Sequence, residues 1–128
     1  MNTSPNTGNK PRGVRPKFFV AEPRRTLLAV SGDKECYCVV ISPNSYAGGH
    51  FHEHKTEQVF VVSGTVRLTI EHDRGESRGV EHVTMQAGQG VFIRPMIAHK
   101  FVTENESAVL LVTADMDEKD AGTTAVRM

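Results

Sequence analysis

From Phe18 onward the chain is a series of short apolar runs broken by turn residues. Phe18-Phe19-Val20 and the runs at 26–30 and 36–41 come first, divided by Ser31-Gly32-Asp33 and closed by Ser42-Pro43-Asn44. The run at 58–62 leads into Ser63-Gly64. Val66, Leu68 and Ile70 then alternate with Arg67 and Thr69, the period of two that gives a strand one core face. A polar hairpin tip is expected over 72–79. Runs at 80–85, 91–93, 99–103 and 109–113 complete the series, with turns at Ala87-Gly88-Gln89-Gly90 and at Pro95. Val, Ile, Thr and Phe dominate, side chains that pack well on a pleated surface. Each strand with its turn takes roughly 8–12 residues, the spacing of a sandwich or barrel. No segment holds a 3.6-residue apolar period over three turns. The pattern predicts a single all-β domain, two antiparallel sheets closed into a small barrel.

The ends depart from this pattern. Residues 1–17 hold three Pro, two Gly and, besides Met1 and Val14, no large apolar side chain. Such a segment buries too little to offset its ordering entropy, so a mobile arm is expected ahead of a barrel over 18–114. Residues 115–128 read as a polar tail, helical or extended. A length of 128 residues suits one domain with a core that needs no disulfides.

Charge narrows the function. Fifteen basic and fifteen acidic residues balance, whereas nucleic-acid binding normally needs a basic stripe. Trp is absent, so stacking platforms for bases are scarce. No apolar run is long enough for a membrane helix. Cys36 and Cys38, two apart on a strand, share a face and form no disulfide framework. Free thiols and the lack of a secretory signal fit a cytoplasmic protein.

Six histidines carry the chemistry. On an extended chain His50 and His52 leave the same face of the strand. Glu57 opens the next strand and joins the two imidazoles if that strand lies beside theirs. His99, after Pro95, is the candidate for a fourth ligand. Three imidazoles and a carboxylate suit one divalent first-row transition metal (Fe, Mn, Ni, Zn, Co or Cu), with positions open to water or substrate. His54 has the parity of His50 and His52 but sits where the chain is expected to turn. It is a surface residue, a replacement ligand or a general base. Arg94 either faces solvent or points into the mouth to pair with an anion. Tyr46 is a rim residue, there for packing or for donating a proton. Phe60, Phe92, Phe101 and Val61 are candidates for an apolar wall, with Phe60 and Phe101 touching substrate. His72 and His82 are expected to face solvent.

His50-x-His52, four residues, Glu57, six residues and Gly64 resemble the first motif of the cupin family. Gly88-Gln-Gly-Val-Phe-Ile-Arg-Pro-Met-Ile-Ala-His99 resembles the second. The resemblance covers about half the chain and implies a double-stranded β-helix, the cupin jelly-roll barrel, of the small single-domain kind. It also implies that His50, His52, Glu57 and His99 bind one metal inside the barrel. The chain departs from the motifs at Asn44 and Met96, where the family usually has glycine. Arg94 stands in place of the usual proline and Thr103 in place of the usual asparagine.

Fold alone does not assign chemistry. The resemblance admits a metal-dependent isomerase or epimerase acting on a carbohydrate or nucleotide sugar. Residues 50–65 are also similar to sugar ketoisomerases and mannose-6-phosphate isomerases. A non-haem iron dioxygenase and a non-catalytic small-molecule-binding barrel are the alternatives. A homodimer is expected from the family, because sheet edges need covering.

Overall fold

A computed structural model describes residues 12–32, 34–74, 77–116, 123–126 and 128. The expected mobile arm therefore falls outside the described residues up to 11, as do the hairpin tip at 75–76 and the tail at 117–122. Residues 12–19 are exposed.

Eleven strands are described: β1 (Phe18–Ala21), β2 (Arg25–Ala29), β3 (Glu35–Ile41), β4 (Tyr46–His52), β5 (Lys55–Ser63), β6 (Thr65–Arg74), β7 (Ser77–Gln86), β8 (Gly90–Ile93), β9 (Ala98–Val102), β10 (Ala108–Met116) and β11 (Thr123–Ala125). No helix occurs among the described residues, so none is long and apolar enough to cross a membrane. The first sheet runs β1-β2-β3-β10-β5-β8 and the second β11-β4-β9-β6-β7. All pairings are antiparallel. The two sheets face each other as a jelly-roll barrel. Alternating side chains of both meet in one core, with Ile41, Leu68, Leu110, Val59, Val61 and Val66 fully buried.

Two parts of the sequence pattern resolve differently. The polar stretch at 72–79 is mostly ladder, because Glu71↔Val80, His72↔Gly79 and Asp73↔Arg78 still pair. The polar tail contributes a strand, as Thr123, Thr124 and Ala125 pair with His52, Phe51 and His50.

Backbone specials shape the ends of the barrel. Among the described residues, Asn44 and Met96 are the non-glycine positions with positive φ, 51° and 68°. These are the two places where the cupin motifs usually have glycine. The left-handed turns are therefore kept without it, tolerably for Asn and at some strain for Met.

Candidate metal centre and cavity

Strand β4 carries the histidine pair and pairs with β9, placing His50 opposite His99. Between Gly48 and His50 the register shifts. Gly48 and Gly49 take φ of 91° and 85°, so one extra residue is accommodated as a bulge. The bulge reverses the alternation. Ala47 is buried opposite Phe101, and His50 and His52 turn inward, while Tyr46 faces out. A Cβ at Gly48 would lie 2.7 Å from the carbonyl oxygen of His99, so glycine there lets β4 approach β9 closely.

Glu57 does not come from a neighbouring strand. β5 belongs to the other sheet, and the carboxylate reaches the imidazoles across the barrel interior. Its Oε1 lies 3.2 Å from Nε2 of both His52 and His99. The His50 ring is 4.6 Å from that of His52 and 4.7 Å from that of His99, centroid to centroid. One ligand atom from each of His50, His52, Glu57 and His99 falls within 4.8 Å of the others. Two donors about 2.1 Å from one ion stand roughly 3.0–3.4 Å apart in adjacent positions, which the 3.2 Å separations match.

The surrounding groups fit a cation. His99 Nδ1 lies 3.0 Å from the Ile97 carbonyl oxygen. That oxygen only accepts, so Nδ1 carries the proton and Nε2 of the neutral ring keeps its lone pair. A lone pair facing a carboxylate oxygen is favourable with a cation between them. The Tyr37 hydroxyl donates to Glu57 Oε2 at 2.5 Å, which leaves Oε1 toward the imidazoles. Burial alone would raise the Glu57 carboxyl, but the His52 and His99 rings and the Tyr37 hydroxyl beside it overcome that and hold the group well below the usual carboxylate range. Burial and the Glu57 charge push the Tyr37 phenol far up, so it stays a donor. Burial, then the neighbouring His99 and His52, pull His50 down to about 4, so the ring is neutral near pH 7.

A cavity of about 530 Å³ opens above these donors. Leu27, Val39, Val59, Phe101, Leu110 and Val112 supply apolar wall. Its charged lining is Lys17, Arg24, Arg25 and Lys55 against Glu35 and Glu57. Lys55 Nζ pairs with Glu35 Oε1 at 2.6 Å, both side chains largely buried.

The other candidates divide. Phe101 lines the cavity beside His99. Phe60 and Phe92 do not, being exposed on the outer face of the first sheet. Their places follow from Glu57: Phe60 is an odd number of residues from it, and Phe92 pairs with Gln58. Val61 is buried in the core away from the cavity lining. Arg94 is exposed beyond the end of β8, outside the lining, because its neighbour Ile93 takes the inward position opposite Glu57. His54 is exposed in the β4–β5 turn beside Glu53. Tyr46 lies on the outer surface between Arg24 and Lys100, each cation 4.5 Å from its ring. His82 is exposed and contacts Thr69, whereas His72 is half-buried against Glu81. Cys36 and Cys38 are free and half-buried. Sequence reasoning missed Tyr37, Lys55, Glu35 and Arg25. Lys55 was within reach, since it shares the parity of Glu57.

Comparisons with known proteins agree with this geometry. The cupin domain family model matches residues 37–114. No curated protein matches the chain in sequence. Among solved structures, the capsular polysaccharide assembling protein CapF from Staphylococcus aureus superposes with a TM-score of 0.69 at 18% identity, over 87% of this chain and 34% of that one. An oxalate oxidase gives 0.70 at 15%, over 83% and 57%. A putative sugar phosphate isomerase from Acidithiobacillus ferrooxidans gives 0.59 at 22%, over 77% and 64%. This chain thus spans about a third of the length of CapF, and at these identities the likeness shows the fold alone. The strand order, the buried donor set and the family match together place the chain in the cupin family.

Proposed function

We propose that the chain is a metal-dependent enzyme that isomerises or epimerises a carbohydrate or nucleotide-sugar-like molecule inside the barrel. The observation that carries this reading is the junction of the three-imidazole, one-carboxylate cluster with a cavity of about 530 Å³. His50, His52, Glu57 and His99 would hold one divalent first-row ion, which when bound polarises a carbonyl or hydroxyl oxygen. Moving a proton between adjacent carbons also needs an acid and a base within reach. Lys55 and Glu35, paired at 2.6 Å in the cavity wall, offer both and stand in for the outward-facing His54 and Tyr46. Tyr37 is a positioning residue through its bond to Glu57. The similarity of fold to a putative sugar phosphate isomerase is consistent with this chemistry.

A non-haem iron dioxygenase is the second reading. The apolar wall beside the donors favours it, since Leu27, Val39, Phe101 and Val112 would keep water from an oxygen-binding site. Elemental analysis of protein purified without added metal, followed by melting in the presence of nucleotide sugars and by oxygen uptake, separates the readings. The isomerase reading expects a bound first-row metal, a sugar-dependent rise in melting temperature and turnover without oxygen. Oxygen consumption moves the assignment to the dioxygenase. A melting shift with neither sugar turnover nor oxygen uptake leaves a binding barrel and defeats both enzymatic readings.

A further inference from the structure

The cavity's cations are gathered on one wall. Arg25, Leu27 and Ala29 alternate along the inner face of β2, opposite Ile41, Val39 and Tyr37 of β3. Arg25 is close enough for its charge to act on the Tyr37 hydroxyl, which itself bonds Glu57. Its Nε is held by Glu22 Oε1 at 3.0 Å. No described residue pairs with its two terminal nitrogens. Arg24 bonds the Tyr46 carbonyl at 2.8 Å and lies 3.5 Å from the same Glu22 carboxylate. Lys17, whose N–H donates to the Ala29 carbonyl, lies at the other end of β2. One carboxylate, Glu22, thus serves both Arg24 and Arg25, while Lys55 is neutralised by Glu35.

We infer that Arg25 binds an anionic group of the substrate, a phosphate or a carboxylate, between β2 and the donor cluster. This deepens the proposed function and rests on it for the word substrate, though anion binding itself needs no metal. A guanidinium fixed through Nε presents its terminal nitrogens as a preset fork for two oxygens. The half-buried setting, 22% exposed at the Arg25 side chain, limits screening by salt. The exposed Arg94 has no such seat.

Titration calorimetry with inorganic phosphate and, separately, succinate tests this on the full-length protein, with metal content measured in parallel. At least one anion should bind the wild type, and Arg25→Gln should weaken it by roughly 10-fold or more, the loss of a charge-assisted pair. Arg94→Gln should change nothing. Which anion responds distinguishes phosphate from carboxylate. Equal affinity in wild type and Arg25→Gln, or binding of neither anion, overturns the inference even where metal is present. A wild type without metal overturns the metal-dependent reading and leaves the anion titration to be judged by itself. Arg25→Lys guards against misfolding, since it keeps the charge and should fall between the other two.

Discussion

The two sheets contribute unequally to the donor cluster. The second sheet gives three imidazoles from two strands paired directly, β4 and β9, locked by the glycine bulge. The first gives one carboxylate from β5, steadied by Tyr37 of β3, two strands away with β10 between them. The imidazole side is thus set by one local ladder. The carboxylate side is set by the packing of the barrel and by a hydrogen bond. The comparison teaches that the cluster is also a brace between sheets, because the carboxylate and the imidazoles meet only when the barrel is closed.

Substitutions on each side sharpen that contrast. His52→Ala should lower metal affinity by more than about 100-fold, since the loss of outer partners alone typically costs 10–100-fold. Glu57→Gln should cost less and Tyr37→Phe, about 10-fold, least. Competition with a chelating dye ranks the three, and a larger loss from Tyr37→Phe than from His52→Ala would break the comparison. Gly48→Ala meets both a positive φ and the His99 carbonyl. It should destabilise the fold by about 1–3 kcal/mol in urea melts, whereas Gly49→Ala, with open space around its Cβ, meets only the backbone cost.

The metal-free protein should lose stability on acidification from pH 6.5 to about 4. In that window the unfolded chain binds a proton at His50 and the folded chain does not, so stability falls with falling pH. Glu57 adds a second loss below its usual 4.5, because its folded carboxyl is held lower. Urea midpoints that stay level through this range would contradict both. The smallest effect is expected at Met96→Gly, a gain of about 1 kcal/mol in melting experiments from relief of the left-handed strain.

Much of this was legible in the sequence where alternation is uninterrupted. Val66, Leu68 and Ile70 against Arg67 and Thr69 reads directly as β6, and Glu57 fixes the inward parity of β5. Phe60 could have been assigned outward from the same parity. Tyr46 could not, because simple alternation puts it on the face of His50 and only the bulge at Gly48–Gly49 reverses it. The approach of Glu57 from the opposite sheet, and the arrival of Tyr37 and Arg25 beside the cluster, depend on long-range pairing. No local spacing encodes that. Asn44 and Met96, which break the motif in letters, keep its turns in backbone.

Strand β10 lies between β3 and β5 and pairs with both. The phenol of Tyr37 and the carboxylate of Glu57 are therefore brought into register only by residues 108–116, far along the chain. During synthesis the histidine pair emerges long before the strand that completes its surroundings. Pairing of such high sequence separation is slow to form. The nascent chain consequently passes through a period in which His50 and His52 are made but not yet enclosed. An ion held by these donors would then be selected by the finished barrel rather than by the growing chain.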